Sequence, residues 1–314
     1  MTQKKAEILL AAVIAARATS LLFSKIAMNG MGIFNLLAAR FLMAFVLLAV
    51  VFFKRLRHIK RHTLVRGAIM GALFFLMLST ELTGLKSTPS STVSLLENTA
   101  IILVPMTEAV LRHKLPKAAT AVSALVAIGG VALLTGQSGG FTPGMVLAVM
   151  AAVLYAAAII TTDRFSHEDD PLTLGIVQVG TLGLLALVSS FVFEAPHLPQ
   201  SGTQWLMIAG LAVICTGFGF TLQPVAQSHT TAQRAGLFCA LSPACATLLG
   251  AAVLSGLVFL LFGGGPNGMA AALTSMLCMG APLSSTLVAG IASLRLQKTA
   301  AAAGAVVPGW AAIV

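Results

Sequence analysis

Charged side chains are scarce in this chain, and acidic ones are the scarcest. Only 9% of its 314 residues are Asp, Glu, Lys or Arg, and Asp and Glu together number 9, whereas 58% of the residues are hydrophobic. A soluble globule of this size needs far more polar surface than this. The composition therefore excludes a soluble protein and predicts one that lies in a membrane.

Strand-like alternation of polar and apolar residues is also missing. The apolar runs extend over about 20 residues, the length of a helix that crosses a bilayer. Only helices and closed barrels satisfy their backbone hydrogen bonds in lipid, and a barrel needs alternating strands. We therefore expect an all-α membrane protein.

Residues that carry enzyme chemistry are not grouped in any recognisable pattern. The chain has no HExxH sequence, no phosphate-binding loop and no clustered carboxylate pair. Its four cysteines lie in apolar runs without CxxC spacing, which is typical of small buried side chains. We expect no enzymatic activity, no metal and no cofactor.

The basic residues lie between the apolar runs. There are 19 of them, and the formal net charge is +10. By the positive-inside rule the two densest clusters are cytoplasmic loops, and the amino terminus is then cytoplasmic as well. The first cluster also favours the anionic headgroups of membrane lipids, and no nucleic-acid partner is expected. The clusters are Lys54, Arg55, Arg57, Lys60, Arg61 and Arg66, and then Arg112, Lys114 and Lys117.

Turns and charged loops divide the chain into about ten predicted transmembrane helices. The uncharged segment 136–144, rich in Gly and Pro, indicates an outer turn between two halves. Pro105 is expected to kink the fourth helix. The predicted helices cover 6–28, 33–53, 67–85, 88–111 and 117–134 in the first half, and 145–162, 172–193, 205–225, 234–254 and 269–292 in the second.

The two halves resemble each other in sequence. Segment 88–97 aligns without a gap with 230–239, which pairs Glu97 with Cys239. Because each half contains an odd number of spans, the second half is inverted relative to the first, the arrangement that many transporters use. The sequence therefore predicts two inverted five-helix repeats, at 1–136 and 143–314.

Several motifs resemble those of one transporter family. The chain is similar to the EamA-type members of the drug/metabolite transporter (DMT) superfamily, over residues 1–254, whereas 256–314 is atypical. The motifs are Ser24-Lys25, Arg40, Gly84-Leu85-Lys86-Ser87-Thr88, Gln223-Pro224-Val225-Ala226-Gln227, Thr231-Ala232-Gln233-Arg234-Ala235-Gly236 and Leu237-Phe238-Cys239-Ala240-Leu241-Ser242-Pro243.

The resemblance implies a function. Such proteins are ten-helix carriers of the bacterial inner membrane, so it implies a secondary active transporter that exports small metabolites, amino acids or drug-like compounds by alternating access. Protons are a candidate coupling ion, and the chain would act as a monomer or homodimer. A membrane-embedded enzyme or sensor for a lipid-soluble ligand is the alternative.

The polar triplet Glu97, Asn98 and Thr99 interrupts the fourth predicted span. A charged carboxylate at the middle of a bilayer costs about 2.5–3.5 kcal/mol even on a lenient scale, so such residues face the bundle interior or water. Glu97 is therefore a candidate substrate or proton site. A protonated glutamate that only bonds to a neighbouring helix is the alternative.

Two arginines lie within the first two predicted spans. Arg17 and Arg40 need water or a partner at that depth. They could bind an anionic group of the substrate, or pair with Glu97 or Glu81. Both interpretations remain open from sequence.

Three neutral polar residues complete the candidate site. Tyr155, the only tyrosine, lies within the sixth predicted span, and Gln178 and Gln223 lie in the seventh and eighth. Tyr155 could donate a hydrogen bond to a substrate, and a buried bond between helices is an equally good interpretation of it. Gln178 and Gln223 are further polar candidates.

Overall fold

The computed structural model describes residues 2–18, 20–28, 30–88, 90–97, 99–111, 142–230 and 235. Every element within these ranges is helical. The predicted fifth, ninth and tenth helices, Asn98 and the atypical segment 256–314 lie outside them. The elements are α1 (Gln3–Ala18), α2 (Ser20–Ala27), α3 (Ile33–Val51), α4 (Phe53–Leu56), α5 (Arg61–Ser87), α6 (Ser90–Glu97), α7 (Ala100–Leu111), α8 (Pro143–Glu168), α9 (Pro171–Phe193), α10 (Gly202–Gly210), a π-helix (Leu211–Phe220) and α11 (Thr221–Gln227).

Five of the described helical stretches are long and apolar enough to cross a membrane. Each buries about half of its most apolar window inside the protein, and the rest of that window faces outward. Exposed Val50, Phe193 and Leu206 are examples of the outward face. These helices confirm the prediction of a multi-pass, all-α membrane protein. They are α3, α5, α8, α9 and Gln204–Gln227.

Side-chain caps fix the starts of the helices in the second half. The Thr142 side chain accepts from the Met145 amide at 3.3 Å, and Pro143 follows at the first helical position. Asp170 caps α9 in the same way, through the Thr173 amide at 3.2 Å. The cap oxygen satisfies an amide that the helix leaves unpaired, and proline has no amide to lose there.

Two predicted helix bounds are wrong. The helix predicted at 67–85 begins at Arg61, and the one predicted at 145–162 continues to Glu168. Both errors lie at charged ends that hydropathy reads as loop. In the structure these ends extend beyond the apolar spans as helix, where Arg66 and Glu168 form an ion pair.

The fourth predicted span is not one continuous helix. It divides into α6 and α7, and Thr99 lies in a turn between them. The Thr99 amide and hydroxyl both donate to the Leu96 carbonyl, at 3.1 and 2.6 Å. Pro105 lies inside α7.

The described helices pack around α5 and α9. Helix α5 lies against α8 and α9, α3 lies against α9, and α1 lies against the π-helix and α11. Close approach needs glycine at some crossings: a Cβ atom at Gly71 would lie 2.7 Å from the Gln178 carbonyl oxygen. The centre of the core contains Phe41, Phe74 and Phe220, whose rings meet edge to face.

Candidate functional site

Arg17 lies among aromatic rings at the centre of the bundle. Its guanidinium carbon is 4.2 Å from the centroid of the Phe220 ring and 5.2 Å from that of Tyr155. The Phe74 ring is 5.6 Å away. All three distances suit cation–π attraction. The Nη1 atom also donates to Gln223 Oε1 at 2.6 Å and to the Tyr155 hydroxyl at 3.2 Å.

Arg40 is buried beside Arg17, with 1% of its surface exposed. Its Nε donates to Thr216 Oγ1 at 2.8 Å, and its Nη1 donates to Ser20 Oγ at 2.8 Å. Its Nη2 is also buried and has no hydrogen-bond partner among the described residues. The Phe41 ring lies 4.8 Å from the guanidinium carbon. The Nη2 atom of this buried guanidinium is thus available to donate a hydrogen bond to a ligand or to water.

Two glutamates complete this central cluster. The carboxyl groups of Glu81 and Glu97 are within hydrogen-bonding contact of each other. Both are close enough to Arg17 for a direct electrostatic interaction, and Glu81 also interacts with Arg40. An ionised carboxylate only accepts hydrogen bonds, so a bond between two carboxyl groups needs one proton on the pair. We call Arg17, Arg40, Glu81 and Glu97 the central cluster.

The structure brings most of the predicted site residues together. Glu97, Arg17, Tyr155 and Gln223 were expected from separate helices, and they form one connected network. For Arg17 the network combines hydrogen bonds to Tyr155 and Gln223 with an electrostatic interaction with Glu81 and Glu97, so the two interpretations made from sequence are not exclusive. Whether these residues bind a substrate stays a prediction.

Two predicted residues lie elsewhere. The Thr99 hydroxyl bonds to the Leu96 carbonyl of its own turn. Gln178 is 1% exposed on α9, and neither atom of its amide has a hydrogen-bond partner in the described part of the chain. Unsatisfied buried amides are costly, so this amide is available for a ligand or for water.

The sequence analysis missed two contributors to the network, Thr216 and Phe220. Both belong to the π-helix, a form that appears frequently at functional sites. Neither residue stands out from the apolar run that contains it. Their contacts with Arg40 and Arg17 depend on the backbone geometry of the π-helix, which hydropathy does not report.

A second ionic group lies at the end of the bundle where the basic loop 54–66 joins α5. The Asp169 carboxylate accepts from Thr63 Oγ1 at 2.9 Å and from Arg66 Nη1 at 2.7 Å, and it pairs with His62 Nδ1 at 2.8 Å. Arg66 also pairs with Glu168 at 2.5 Å. We call this group the loop-end cluster.

The loop-end cluster perturbs Asp169. Only 4% of its side chain is exposed. Burial by itself would raise the pKa of this carboxyl group. The hydrogen bonds from Arg66, Thr63 and His62 outweigh burial, so the pKa lies below the ordinary value of 3.8.

Asn35 links α3 to α9 at the opposite end of the bundle. Its Oδ1 accepts from Ser190 Oγ at 2.8 Å and from the His197 amide at 3.2 Å. Its Nδ2 donates to Glu194 Oε2 at 3.1 Å and to the Ala195 carbonyl at 3.0 Å. The amide of a 5% exposed side chain is thereby fully satisfied, which fixes this end.

Within the part of the chain that the structure describes, no three His, Cys, Asp or Glu residues are grouped so that they could hold a metal ion. The acidic side chains of both clusters are instead engaged by arginines or by each other. The arrangement is suited to binding small charged groups and to holding a proton.

Comparison with known proteins identifies a family. The model of the EamA-like transporter family matches the chain twice, at residues 4–136 and 142–263. Twenty-one chains from solved structures match as well. One, a crystal structure of a protein, is 20% identical to this chain, covers 90% of it, is itself covered to 97%, and has a TM-score of 0.61. That likeness shows the fold alone. No curated protein matches.

Proposed function

We propose that this chain, which belongs to the EamA-like transporter family, is a secondary active transporter that exports small metabolites, amino acids or drug-like compounds by alternating access. Family membership and the five apolar helices make it a multi-pass membrane transporter. The proposal adds the energy source, the direction of transport and the site.

The central cluster lies where the two matched segments contact each other, and this position carries the proposal. Arg17, Arg40, Glu81 and Glu97 belong to the first matched segment, 4–136. Their partners on the π-helix and neighbouring helices belong to the second, 142–263. A buried polar site between two repeats changes its surroundings when the repeats move against each other. These partners are Tyr155, Thr216, Phe220 and Gln223.

Helix contacts support an inverted relation between the repeats. In the predicted numbering, the second span contacts the seventh, the third contacts the sixth, and the eighth contacts the first. An axis in the membrane plane that exchanges the two halves maps the third–sixth pair onto the eighth–first pair and the second–seventh pair onto itself. Such an axis passes close to the α3–α9 contact.

We place one proton between the neighbouring carboxyl groups of Glu81 and Glu97, and this proton would couple transport to a proton gradient. Arg17 interacts with both carboxyl groups, so release of the proton would strengthen its hold on them. Re-protonation would weaken that hold and free a guanidinium for an anionic group of the substrate. Proton and substrate would then compete for the same arginine, which couples their movements.

Basic residues support the orientation in the membrane. The exposed residues Lys54, Arg57 and Lys60 lie at the end of the bundle where the loop-end cluster is found. The positive-inside rule assigns that end to the cytoplasm of a bacterial inner membrane. The amino terminus, which begins α1 with the exposed Lys4 and Lys5, is assigned to the same side.

Transport by Glu97→Gln tests the coupling. Glutamine retains the size and a hydrogen bond to Glu81 but holds no exchangeable charge. In proteoliposomes we expect uptake driven by a pH gradient to be lost, while counterflow of labelled substrate at equal pH remains. A resistance screen with toxic amino acids, analogues and dyes supplies the substrate.

Glu108→Gln is the matched control, since Glu108 follows on α7 and the substitution is the same. We expect it to retain pH-driven uptake. Unchanged pH-driven transport by Glu97→Gln would overturn the assignment of Glu97. Chemical conversion of the substrate during counterflow would overturn the transport proposal and favour an enzyme.

A further inference from the structure

An apolar groove runs along the outer face of α3 near its carboxyl end. It encloses about 480 Å³ and is lined by Phe45, Val46, Ala49, Val50 and Phe53. These positions follow the spacing of one helix face, with steps of three or four residues between successive turns. Val50 and Phe53 are 74% and 63% exposed. The groove is therefore open to whatever surrounds the helix.

We infer that lipid surrounds this groove. Helix α3 is one of the five stretches able to cross a membrane, and its other side packs on α9. Phe45 marks the border between the two sides, because its ring lies 2.7 Å from the place that a Cβ atom of Gly180 on α9 would occupy. The groove lies in the last half of the span, next to the basic loop.

Two cations follow the groove in the chain, beyond the end of α3 at Val51. Lys54 lies in α4, and Arg57 lies at the end of α4, four residues after Phe53. The Arg57 amide donates to the Phe53 carbonyl at 3.1 Å, so a helical turn connects these two residues. Both cations are exposed at the position where the chain leaves the apolar span.

These two cations differ from others in the same loop. Arg55 pairs with Asp170 at 3.5 Å, and Arg66 pairs with Asp169 at 2.7 Å. Lys54 and Arg57 pair with no acidic side chain among the residues that the structure describes. Their charge is thus available to a ligand that comes from outside the protein.

We propose that the groove and these cations form a binding site for one anionic phospholipid. An acyl chain lies along Phe45–Phe53, and Lys54 and Arg57 bind the phosphate of the headgroup. The apolar groove lies within the span and the cations lie at its end. A phospholipid has the same arrangement, with its acyl chains in the membrane and its charged headgroup at the surface. This site is separate from the central cluster, and the proposal does not depend on which substrate the chain transports.

The charge contribution is large enough to measure. Each basic residue near an anionic surface contributes about 1 kcal/mol. Removing both Lys54 and Arg57 should weaken binding of an anionic lipid about 30-fold, which is about 2 kcal/mol at 1.4 kcal/mol per tenfold change. A neutral-headgroup lipid with the same acyl chains should be affected far less.

Native mass spectrometry of the full chain in detergent tests the site. Phosphatidylglycerol and phosphatidylcholine with identical acyl chains are titrated against the wild type, Lys54→Gln/Arg57→Gln and Lys4→Gln/Lys5→Gln. The last variant removes two exposed cations from the start of α1 and serves as the control. We expect tight binding of one phosphatidylglycerol by the wild type and the control, and its loss only in Lys54→Gln/Arg57→Gln.

A third variant tests the groove without a change of charge. Ala49→Leu fills part of the groove, and we expect it to weaken binding of both lipids while the melting temperature stays within a few degrees of the wild type. The proposal is overturned if phosphatidylcholine binds as tightly as phosphatidylglycerol, if the Lys4/Lys5 variant loses as much affinity, if Ala49→Leu binds normally, or if soluble glycerol phosphate displaces the lipid at equal concentration.

Discussion

Helix α5 carries a member of each ionic cluster, and the two clusters use similar side chains in very different surroundings. In the central cluster, Arg40 is 1% exposed and Glu81 is 5% exposed. In the loop-end cluster, the side chain of Arg66 is 30% exposed and that of Glu168 is 50% exposed. Water therefore reaches Arg66 and Glu168, whereas it is excluded from Arg40 and Glu81 and, at the loop end, from Asp169, whose side chain is 4% exposed.

This difference assigns the two clusters different roles. Buried charges lose their hydration, and their mutual attraction only partly offsets that loss, so apolar replacements of a whole cluster are often more stable. Exposed pairs cost little and contribute little. A cluster that costs stability is retained for what it does, which here is the proposed handling of substrate and proton. The loop-end cluster instead holds α5 against the α8–α9 connection.

The largest effect should come from removing one partner of the central cluster. Arg40→Met leaves Thr216 Oγ1 and Ser20 Oγ without their donor and takes one of two neighbouring cations from Glu81. Breaking a buried ionic group in this way costs about 3–5 kcal/mol. Arg66→Met, the matched change at the other end of the bundle, should cost less, about 1.5–3 kcal/mol, because Asp169 retains Thr63 and His62 as partners.

Chemical unfolding in mixed micelles, followed by circular dichroism, measures both losses. Arg40→Lys is the control that keeps the charge without the two directed hydrogen bonds, and it should lie between the wild type and Arg40→Met. Equal losses for Arg40→Met and Arg66→Met would contradict the distinction between the clusters.

A pH-dependent effect of intermediate size should distinguish Asp169. At pH 7 its carboxylate accepts three hydrogen bonds or ion pairs, and Asp169→Asn should cost about 1.5–3 kcal/mol. The pKa of Asp169 is lowered in the folded protein, so this stability is fully present above the ordinary value of 3.8 and is lost as pH falls through the lower folded pKa. The difference between wild type and variant should therefore shrink below about pH 4.

Melting temperatures recorded from pH 3 to pH 7 measure that difference. Glu168→Gln changes the more exposed acid that binds the same Arg66, and it should produce a smaller and flatter effect. If the difference in melting temperature between wild type and Asp169→Asn became larger in acid, the carboxylate would not be the species that the cluster stabilises.

Sequence alone predicted five of the spans, those at 33–53, 67–85, 145–162, 172–193 and 205–225, because hydropathy records which segments are apolar enough to cross a membrane. The bounds failed where helices continue beyond the apolar region, at Arg61 and Glu168, since charged helical turns there have the composition of loops. The break at Thr99 was also missed, because a polar residue inside a span predicts a function more readily than a turn.

The members of the central cluster were predicted more easily than their connections. Arg17, Glu97, Tyr155 and Gln223 were each candidates because a polar group within an apolar span needs a partner. Which of them meet depends on helix rotation and crossing, which the spacing of residues does not fix. Phe220 had no distinguishing feature at all, since its role follows from the π-helix.

The smallest effect should come from the most exposed pair of the loop end. Arg55 and Asp170 are 3.5 Å apart, and their side chains are 55% and 48% exposed. Arg55→Gln should therefore change the free energy of unfolding by about 0.5 kcal/mol or less, and 0.5 M salt should remove the change. Salt should leave the loss in Arg40→Met intact, because ions do not screen charges that lie inside the bundle. If the loss in Arg40→Met fell with salt as that in Arg55→Gln does, the central charges would be reached by water, and the two clusters would differ only in position.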